Sequence, residues 1–368
     1  MISIAREILL HDKVRLAITV ASLGFAMVMI VYDLGMFFGV TGESVNLIDR
    51  AGADLWLLET GYDDLLSPSW LPGTVLSQAR DTAGVKDACA LSTLVGNLDI
   101  GETHPVQIVG IDPACPLIQP WDVVEGQAAA LQDPDTVVVD DLVLRGDPAR
   151  VGDGVKLNDR ELRLVAVTRH NKGFTTPYAY VNLETLAALG GPADQHGFVA
   201  LRLAPDAQPE AVARQLEAAL PSANAVETQP LRAASISALV AQGVGMIFAV
   251  VFIGVLVGMM IITTTIYTAT VEHLRNFAIL KALGATRWQI WRVVLEQAAI
   301  QTVVSFGLGL AASLALNYAI ETMSGIRALF PVPALAASLV AMLLLAILGS
   351  LLSIRRALAV DPMLVFRA

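Results

Sequence analysis

Four long runs of apolar residues dominate the pattern of the chain. Residues 16–40 form the first run, which only Asp33 interrupts, and residues 233–270 contain no charged side chain. Two further runs occupy residues 293–318 and 333–354. Because about 20 apolar residues are enough for a helix to cross a bilayer core, the pattern predicts four transmembrane helices. The second run is longer than one crossing requires, so part of its helix is expected to project beyond the lipid as a stalk.

The segment before the first run predicts a helix that lies in the membrane interface. In "MISIAREILLHDKVR", residues 1–15, the side chains of Ile4, Ile8 and Leu9 share one helical face and the charges lie opposite. A cleaved signal peptide is the alternative for the first run. That run is longer than the roughly 7–15 apolar residues of such peptides, and no A-x-A-like site follows it. We therefore expect it to be retained as the first span.

Residues 41–232, between the first and second runs, alternate strand and helix signals. The stretches "DLWLLET", "HPVQIVGI" and "TVVVDD" predict strands. The stretch "GVKLNDRELRLVAV" consists of two alternating runs about Asn158 and Asp159, which indicates a β-hairpin. This block is therefore expected to be folded.

One amphipathic helix completes the pattern of this block. In "DAQPEAVARQLEAAL" the residues Val212, Leu216 and Leu220 are expected to face inward, with Asp206 available as the N-cap. The predicted fold class is thus an α-helical membrane protein with four transmembrane helices. A large α+β periplasmic domain is inserted between its first and second spans.

Composition and charge agree with a membrane protein. The 368 residues are 55% hydrophobic and only 16% charged, where soluble domains are nearer a quarter charged. The net charge is −10, but residues 41–232 hold 27 acidic and 13 basic side chains, so the acidity belongs to the inserted domain. No basic surface that would suit nucleic acid is indicated.

Basic side chains in the short segments predict the orientation, because Lys and Arg concentrate on the cytoplasmic side. Both termini and the loop 271–292 are expected to be cytoplasmic, whereas the segment 319–332, which contains only Arg327, is expected outside with the large domain. The bases on which this rests are Arg6, Lys13, Arg15, Arg275, Lys281, Arg287, Arg292, Arg355, Arg356 and Arg367.

The two cysteines, Cys89 and Cys115, are too few for a disulfide scaffold or a metal site. They form one bridge if the domain faces an oxidising compartment, and otherwise they are two unpaired buried thiols. The number of cysteines alone favours two unpaired thiols.

The cytoplasmic loop "RNFAILKALGATRWQIWR", residues 275–292, predicts a helix, a break and a second helix. Gly284 supplies a residue that adopts positive φ without steric cost. Thr286 followed by Gln289 fits a capping box, so a new helix is expected to begin there and to become the third span. The apolar residues Phe277 and Ile279 are poorly suited to water, which indicates a partner surface.

Three positions in the predicted spans leave alternatives open. Gly254 and Gly258 form a G-x-x-x-G pattern that permits close helix packing, either at a dimer seam or against another span of the same chain. Asp33 lies about 26 Å along the first helix, which suits the outer interface. A paired, substrate-facing role within the membrane is its alternative.

The order of these segments and two specific stretches resemble the MacB/FtsX-type permeases of ABC transporters, the type VII exporters. The stretch after the second span matches at Glu272, Ala278, Ile279, Lys281, Ala282, Gly284 and Ala285. The ending "RRALAVDPMLVFRA" resembles the cytoplasmic tail of that family, and "GADLWLLE" at residues 52–59 resembles DevC-type members.

The resemblance implies a coupling loop that docks on a separate ABC ATPase. The coupling residues that it implies are Glu272, Arg275, Phe277, Ile279, Lys281 and Gly284. An ordinary loop with a positive-inside bias would explain the basic residues but not the apolar ones. The resemblance also implies a bacterial inner-membrane location, two ATPase copies and a homodimer or a heterodimer with a related permease. A periplasmic adaptor and an outer-membrane duct are further implied partners.

No catalytic site is predicted in the chain itself. It lacks the G-x-x-x-x-G-K-[S/T] phosphate loop, so ATP and magnesium are expected on the partner ATPase and no cofactor on this chain. The histidines show no H-E-x-x-H spacing, and no metal site is proposed. The absence of a G-x-S-x-G elbow argues against a hydrolase domain.

The function that the resemblance implies is ATP-driven export or extraction from the periplasm or the outer leaflet. The substrate would be a lipid, glycolipid, lipoprotein, peptide or drug. Alternatives within the family are LolC/LolE-like lipoprotein release and FtsX-like control of a cell-wall hydrolase. A membrane-anchored sensor, whose outer domain binds a ligand, is the alternative from another class.

Overall fold

The computed structural model contains two compact units. A helical unit consists of Met1–Gly39 with Met246–Ala368, and a second unit consists of Val40–Gly245. The predicted interfacial helix and the cytoplasmic tail lie largely outside the residues that the structure describes. The described residues are 13–145, 149–173, 176–241, 245–272 and 284–359.

Long helices carry the apolar runs of the sequence. In the part of the chain that the structure describes, the α-helices are α1 (Lys13–Ser44), α2 (Asn46–Arg50), α3 (Thr74–Arg80), α4 (Leu183–Ala188), α5 (Pro209–Ala219), α6 (Thr228–Leu239), α7 (Gly245–Glu272), α8 (Arg287–Ser324) and α9 (Val332–Ala359). Helix α1 continues without a break past Gly39 and ends five residues later, inside the second unit.

Two described helical segments are long and apolar enough to cross a membrane, Leu16–Ser44 and Trp288–Ser324. Shorter apolar segments occupy Phe252–Thr265 in α7 and Val332–Leu348 in α9. The count of four spans therefore stays a prediction. Helix α8 ends at Gly325, which has φ 71° and donates its N–H to the Glu321 carbonyl at 2.9 Å, the usual left-handed stop of a helix.

The second unit is built around one mixed sheet, as the predicted α+β fold requires. Its strands are β1 (Leu55–Glu59), β2 (Leu71–Pro72), β3 (Val85–Asp99), β4 (Thr103–Ile111), β5 (Val123–Gly126), β6 (Thr136–Asp140), β7 (Gly154–Leu157), β8 (Arg160–Thr168), β9 (Tyr178–Asn182), β10 (Gln195–His196), β11 (Phe198–Leu203) and β12 (Ala223–Glu227).

The main sheet has ten strands in the order β12-β1-β11-β3-β4-β9-β6-β8-β5, and β7 pairs with both β3 and β8. The β4–β9 and β6–β8 pairs are parallel and the other pairs of this sheet are antiparallel. Strands β2 and β10 form a separate two-stranded sheet. The long strand β3 contributes Leu91 to one apolar cluster and Leu98 to another, so it joins two parts of the core.

Local turn chemistry placed the hairpin correctly. Asn158 and Asp159 have φ 47° and 65° and connect β7 to β8, as two positive-φ residues of a type I′ turn should. The amphipathic helix was also predicted correctly, because Val212, Leu216 and Leu220 are all buried.

The predicted cap of that helix was wrong. The N-cap of α5 is Gln208, which makes no side-chain capping bond, and not Asp206. The reason is that Pro209 occupies the first helical position, where its missing N–H costs nothing and its fixed φ suits the helix.

Cys89 and Cys115 form a disulfide, with their Cα atoms 5.8 Å apart. The number of cysteines favoured two unpaired thiols, and the structure contains a disulfide instead. The spacing along the chain could not show that β3 and the segment after β4 meet in the core. Both cysteines lie in the apolar cluster that also contains Trp56, Tyr178 and Tyr180.

Candidate functional site

The predicted coupling loop is described only at its two ends. Glu272 is the last residue of α7, and the structure describes the chain again from Gly284. The candidates Arg275, Phe277, Ile279 and Lys281 lie outside the described residues, so their role stays a prediction.

Gly284 has the positive φ that the sequence predicted. Its φ is 91°, and a Cβ atom placed there would meet nothing within 4 Å. Glycine is therefore favoured by the backbone conformation and not by crowding. Whether a helix ends just before it concerns residues 273–283, which lie outside the described residues.

The second helix begins with the predicted capping box. The N–H of Gln289 donates to Thr286 Oγ1 at 3.3 Å, and the N–H of Thr286 donates to Gln289 Oε1 at 2.8 Å. These bonds satisfy two of the backbone donors that a helix start leaves unpaired. Helix α8 consequently has a fixed first turn next to the predicted coupling loop.

Two tryptophans stack on the first turns of α8. The rings of Trp288 and Trp291 have centroids 6.3 Å apart and planes 14° from parallel. Trp288 is 71% exposed, whereas Ile290, which lies between the two tryptophans in the sequence, is buried. An exposed, rigid aromatic pair of this kind suits a membrane interface or a protein partner.

Gly254 and Gly258 of α7 lie against α1 of the same chain. A Cβ atom on Gly254 would collide with Oδ2 of Asp33, and one on Gly258 would lie 2.5 Å from Cδ1 of Ile30. The close approach that the G-x-x-x-G pattern predicts is thus made within this chain. Contact between two copies of the chain at these glycines stays a prediction.

Asp33 lies in this contact without a conventional partner for one oxygen. Its Oδ2 atom is buried and, in the part of the chain that the structure describes, accepts no hydrogen bond. A buried unpaired carboxylate oxygen is costly in an apolar setting. The small size of Gly254 is what leaves room for it.

A second contact of small residues joins α1 to α8, and sequence reasoning missed it. A Cβ atom on Gly309 would lie 2.5 Å from the Met27 Cβ atom and 3.2 Å from the Gly24 carbonyl oxygen. Nearby, Ser305 Oγ donates to the Val20 carbonyl at 3.3 Å. The pair of glycines in "FGLGL" was the available signal.

The end of α1 is held in the second unit by a buried ion pair, which sequence reasoning also missed. Lys172 Nζ lies 2.7 Å from Glu43 Oε2, and the two side chains are 4% and 9% exposed. Glu43 is in the last turn of α1, which contains no basic residue. Because a helix C-terminus is electrically negative, an acidic residue there needs a nearby cation.

The loop that carries Lys172 is fixed by hydrogen bonds. The Asn171 N–H donates to Asp140 Oδ2 at 2.6 Å, and Asn171 Nδ2 donates to the Trp121 carbonyl at 2.7 Å. Lys172 itself forms a β-bridge with Pro177. The lysine is therefore presented to the helix end by a preformed backbone.

Burial perturbs the acids and phenols around this pair. It raises the pKa of Asp140 to about 6, against the lowering effect of N–H donors from Asn171 and Leu142 and of the charge on Lys172. Burial, and after it the charge on Glu43, raise the pKa of Tyr178. The site is a dry, charged joint and has the character of a structural connection.

The described residues contain no group of three or more His, Cys, Asp or Glu side chains that could hold a metal ion. What the arrangement offers is close helix packing, a fixed helix start beside the predicted coupling loop and a buried ion pair within the second unit.

Two family models match the chain. The MacB-like periplasmic core domain matches residues 16–219, and the FtsX-like permease C-terminal domain matches residues 248–362.

Relatives match this sequence along almost its whole length. An uncharacterized ABC transporter permease of Mycobacterium tuberculosis, Rv2563, is 24% identical over 370 residues, which covers 96% of each chain. A second one, Rv0072, is 23% identical over 368 residues and covers 95% of each chain.

Solved structures of outer domains are also similar. The periplasmic region of MacB from Actinobacillus actinomycetemcomitans is 13% identical, covers 51% of this chain and 94% of its own, and has a TM-score of 0.38. The extracellular domain of the transporter YknZ from Gram-positive bacteria is 15% identical, covers 47% and 98%, and also has a TM-score of 0.38. Since the MacB-like model alone matches more than half of the 368 residues, the chain belongs to the MacB/FtsX-type family of ABC transporter permeases.

Proposed function

We propose that this permease couples ATP hydrolysis by a separate ATPase to movement of its outer domain, and so exports or extracts a substrate on the far side of the membrane. The chain acts as a dimer with two ATPase copies and has no ATPase activity of its own. The coupling surface consists of Glu272, Gly284 and the four candidates between them.

The observation that carries this proposal is the path of α1. One uninterrupted helix contains the first apolar run and ends with Glu43 paired to Lys172 inside the outer domain. A rigid helix with a buried joint at its end can transmit displacement, whereas a flexible linker cannot. The disulfide between Cys89 and Cys115 supports an oxidising location for the domain, because disulfides are rare in the cytosol.

The coupling loop is tested by adding a charge to its apolar face. Phe277→Asp or Ile279→Asp is expected to abolish ATP-dependent movement of the outer domain, measured by spin-label distances within that domain in nanodiscs with the ATPase. Met323→Asp, on a side chain that is 86% exposed at the other end of α8, is the control and should leave the movement intact. Movement retained in both loop variants, with normal ATPase binding, would contradict coupling at this loop.

The cargo and the adaptor form a finer part of the proposal. We expect a lipid, glycolipid, lipoprotein, peptide or drug to be handed to a periplasmic adaptor and an outer-membrane duct. Stimulation of ATP hydrolysis by an added adaptor would support this form. Co-purification of a cell-wall hydrolase would instead support FtsX-like regulation, and co-purification of a kinase would support a sensor.

A further inference from the structure

Strand β3 has an open backbone edge in the middle of the main sheet. It pairs with β4 along Leu91–Asp99. On its other side it pairs with β11 only as far as Leu91, and with β7 only from Leu98 onward. The stretch between Leu91 and Leu98 therefore has a neighbouring strand on one side only.

The direction of the open backbone groups follows from Asn97. Its N–H donates to Asn158 Oδ1 at 2.9 Å, and its carbonyl accepts from the Asn158 N–H at 3.0 Å. Asn97 thus points away from β4. Because successive residues of an antiparallel strand point to alternate sides, Thr93 and Val95 also direct their N–H and C=O groups away from β4.

The residue opposite Val95 confirms this direction. Gln107 of β4 is paired with Val95 but donates its N–H to the Pro177 carbonyl at 2.9 Å, on the far side of β4. Within the described residues, the backbone groups of Thr93 and Val95 consequently have no protein partner. Val95 is also 80% exposed.

A pocket of about 240 Å³ adjoins this edge. Every described residue that lines it is uncharged, although residues 41–232 hold 27 acidic side chains. Trp70 and Phe198 are the aromatic residues that line it, and Gln107 supplies an amide. Such a pocket favours an uncharged ligand with some apolar surface.

The wall of the pocket opposite β3 is preformed. Ser69 Oγ accepts from the Glu59 N–H at 2.8 Å, and the Trp70 N–H donates to Glu59 Oε2 at 3.1 Å. The Leu65 N–H donates to Ser235 Oγ at 3.1 Å. A ligand that enters therefore does not have to order this loop, which lowers the entropic cost of binding.

We propose that this pocket binds an extended segment of a separate polypeptide, which adds a short strand along Thr93–Val95. Two residues that each offer a donor and an acceptor, spaced by two positions, match the backbone of an extended chain. Because the lining is uncharged, the bound segment carries apolar or β-branched side chains. The binding is independent of the ATPase coupling proposed above.

The test uses the full chain in nanodiscs and a display library of random heptapeptides. An enriched peptide is synthesised with and without N-methyl groups at alternate positions, and its affinity is measured by fluorescence anisotropy. We expect enrichment of uncharged β-branched sequences. N-methylation on the bonding side should weaken binding roughly three- to tenfold per lost hydrogen bond, whereas N-methylation on the other side should not.

A variant of the protein removes a backbone N–H of the proposed binding edge. Val95→Pro deletes one N–H that β4 does not use, and it should weaken peptide binding roughly three- to tenfold. Val95→Ala keeps that N–H and is the matched control. If Val95→Pro does not fold, the affinities of the N-methylated peptides for the unaltered chain decide the question. The proposal is overturned if no peptide is enriched or if all N-methylated peptides bind equally well. It is also overturned if only the oligomeric state changes, because that would indicate a second copy of the chain as the occupant.

Discussion

Lys172 and Glu43, which are 129 positions apart in the chain, form a 2.7 Å ion pair from which water is almost excluded. Removing two charges from water is expensive, so such a pair contributes little net stability compared with apolar side chains. Its effect is positional, because separating the two buried charges would lose their attraction without returning either charge to water. The end of α1 is thereby fixed to one place in the second unit.

Removal of one partner of this pair is expected to be strongly destabilising. Glu43→Gln removes the carboxylate charge that lies 2.7 Å from the buried Lys172 ammonium, and we expect a loss of about 3–5 kcal/mol in the free energy of unfolding. The measurement is denaturant unfolding of the full chain in detergent.

Two further variants control this prediction. Glu43→Leu combined with Lys172→Met should restore most of the lost stability, because neither position of the pair then holds a buried charge. Asp133→Asn breaks an ion pair with Arg163 in which both side chains are more than half exposed, and it should cost at most about 1 kcal/mol. Equal losses in Glu43→Gln and Asp133→Asn would contradict the argument.

Asp140 is expected to make the stability of the outer domain depend on pH. Its pKa is raised from 3.8 to about 6 in the folded state, so the folded protein binds more protons than the unfolded one between those values. Stability therefore falls as pH rises from about 4 to 6, by about 3 kcal/mol for a difference of about two units.

Asp140→Asn should flatten this pH dependence, whatever its effect on stability at a single pH. Asp135→Asn tests a pH dependence of the opposite sign. A hydrogen bond from Arg160 lowers the pKa of Asp135, so the stability that Asp135 contributes is lost as pH falls. Unfolding curves recorded from pH 2 to pH 7 distinguish the two, because the Asp140 contribution changes between about pH 4 and 6 and the Asp135 contribution changes below about pH 4. An unchanged slope in Asp140→Asn would refute the assignment.

The disulfide is expected to stabilise the outer domain by restricting its unfolded state. With a sequence separation of 26 between Cys89 and Cys115, the loop-entropy relation gives about 3–4 kcal/mol. The Cys89→Ala, Cys115→Ala double variant should lose this amount in chemical unfolding. Addition of a reductant should destabilise the unaltered protein and leave the variant unaffected.

The contact of Gly254 with Asp33 predicts a specific intolerance to a methyl group. Gly254→Ala should lower thermal stability in detergent by the equivalent of about 1–3 kcal/mol, because the added Cβ atom meets the carboxylate. Gly307→Ala is the matched control, since a Cβ atom there meets nothing within 4 Å. Similar losses at both glycines would show that loss of helix flexibility, and not the contact, is responsible.

Local patterns predicted local features of this molecule. The predicted strands, the Asn158–Asp159 turn, the positive φ of Gly284 and the Thr286 capping box each depend on neighbours a few positions away. Asp206 was wrongly predicted as a cap because the competing effect of Pro209 was not weighed.

Long-range pairs could not be obtained in this way. Nothing near Glu43 in the sequence indicates Lys172, and spacing alone did not show that Cys89 meets Cys115. The G-x-x-x-G pattern indicated a close helix contact but not that Asp33 would face Gly254. Such pairings are decided by the packing of whole elements.

The space shared by Asp33 and Gly254 also limits how this family can diversify. A larger residue at position 254 requires the carboxylate at position 33 to turn away or to be replaced by something smaller. Among related permeases, a side chain at position 254 should therefore occur less often together with an acid at position 33.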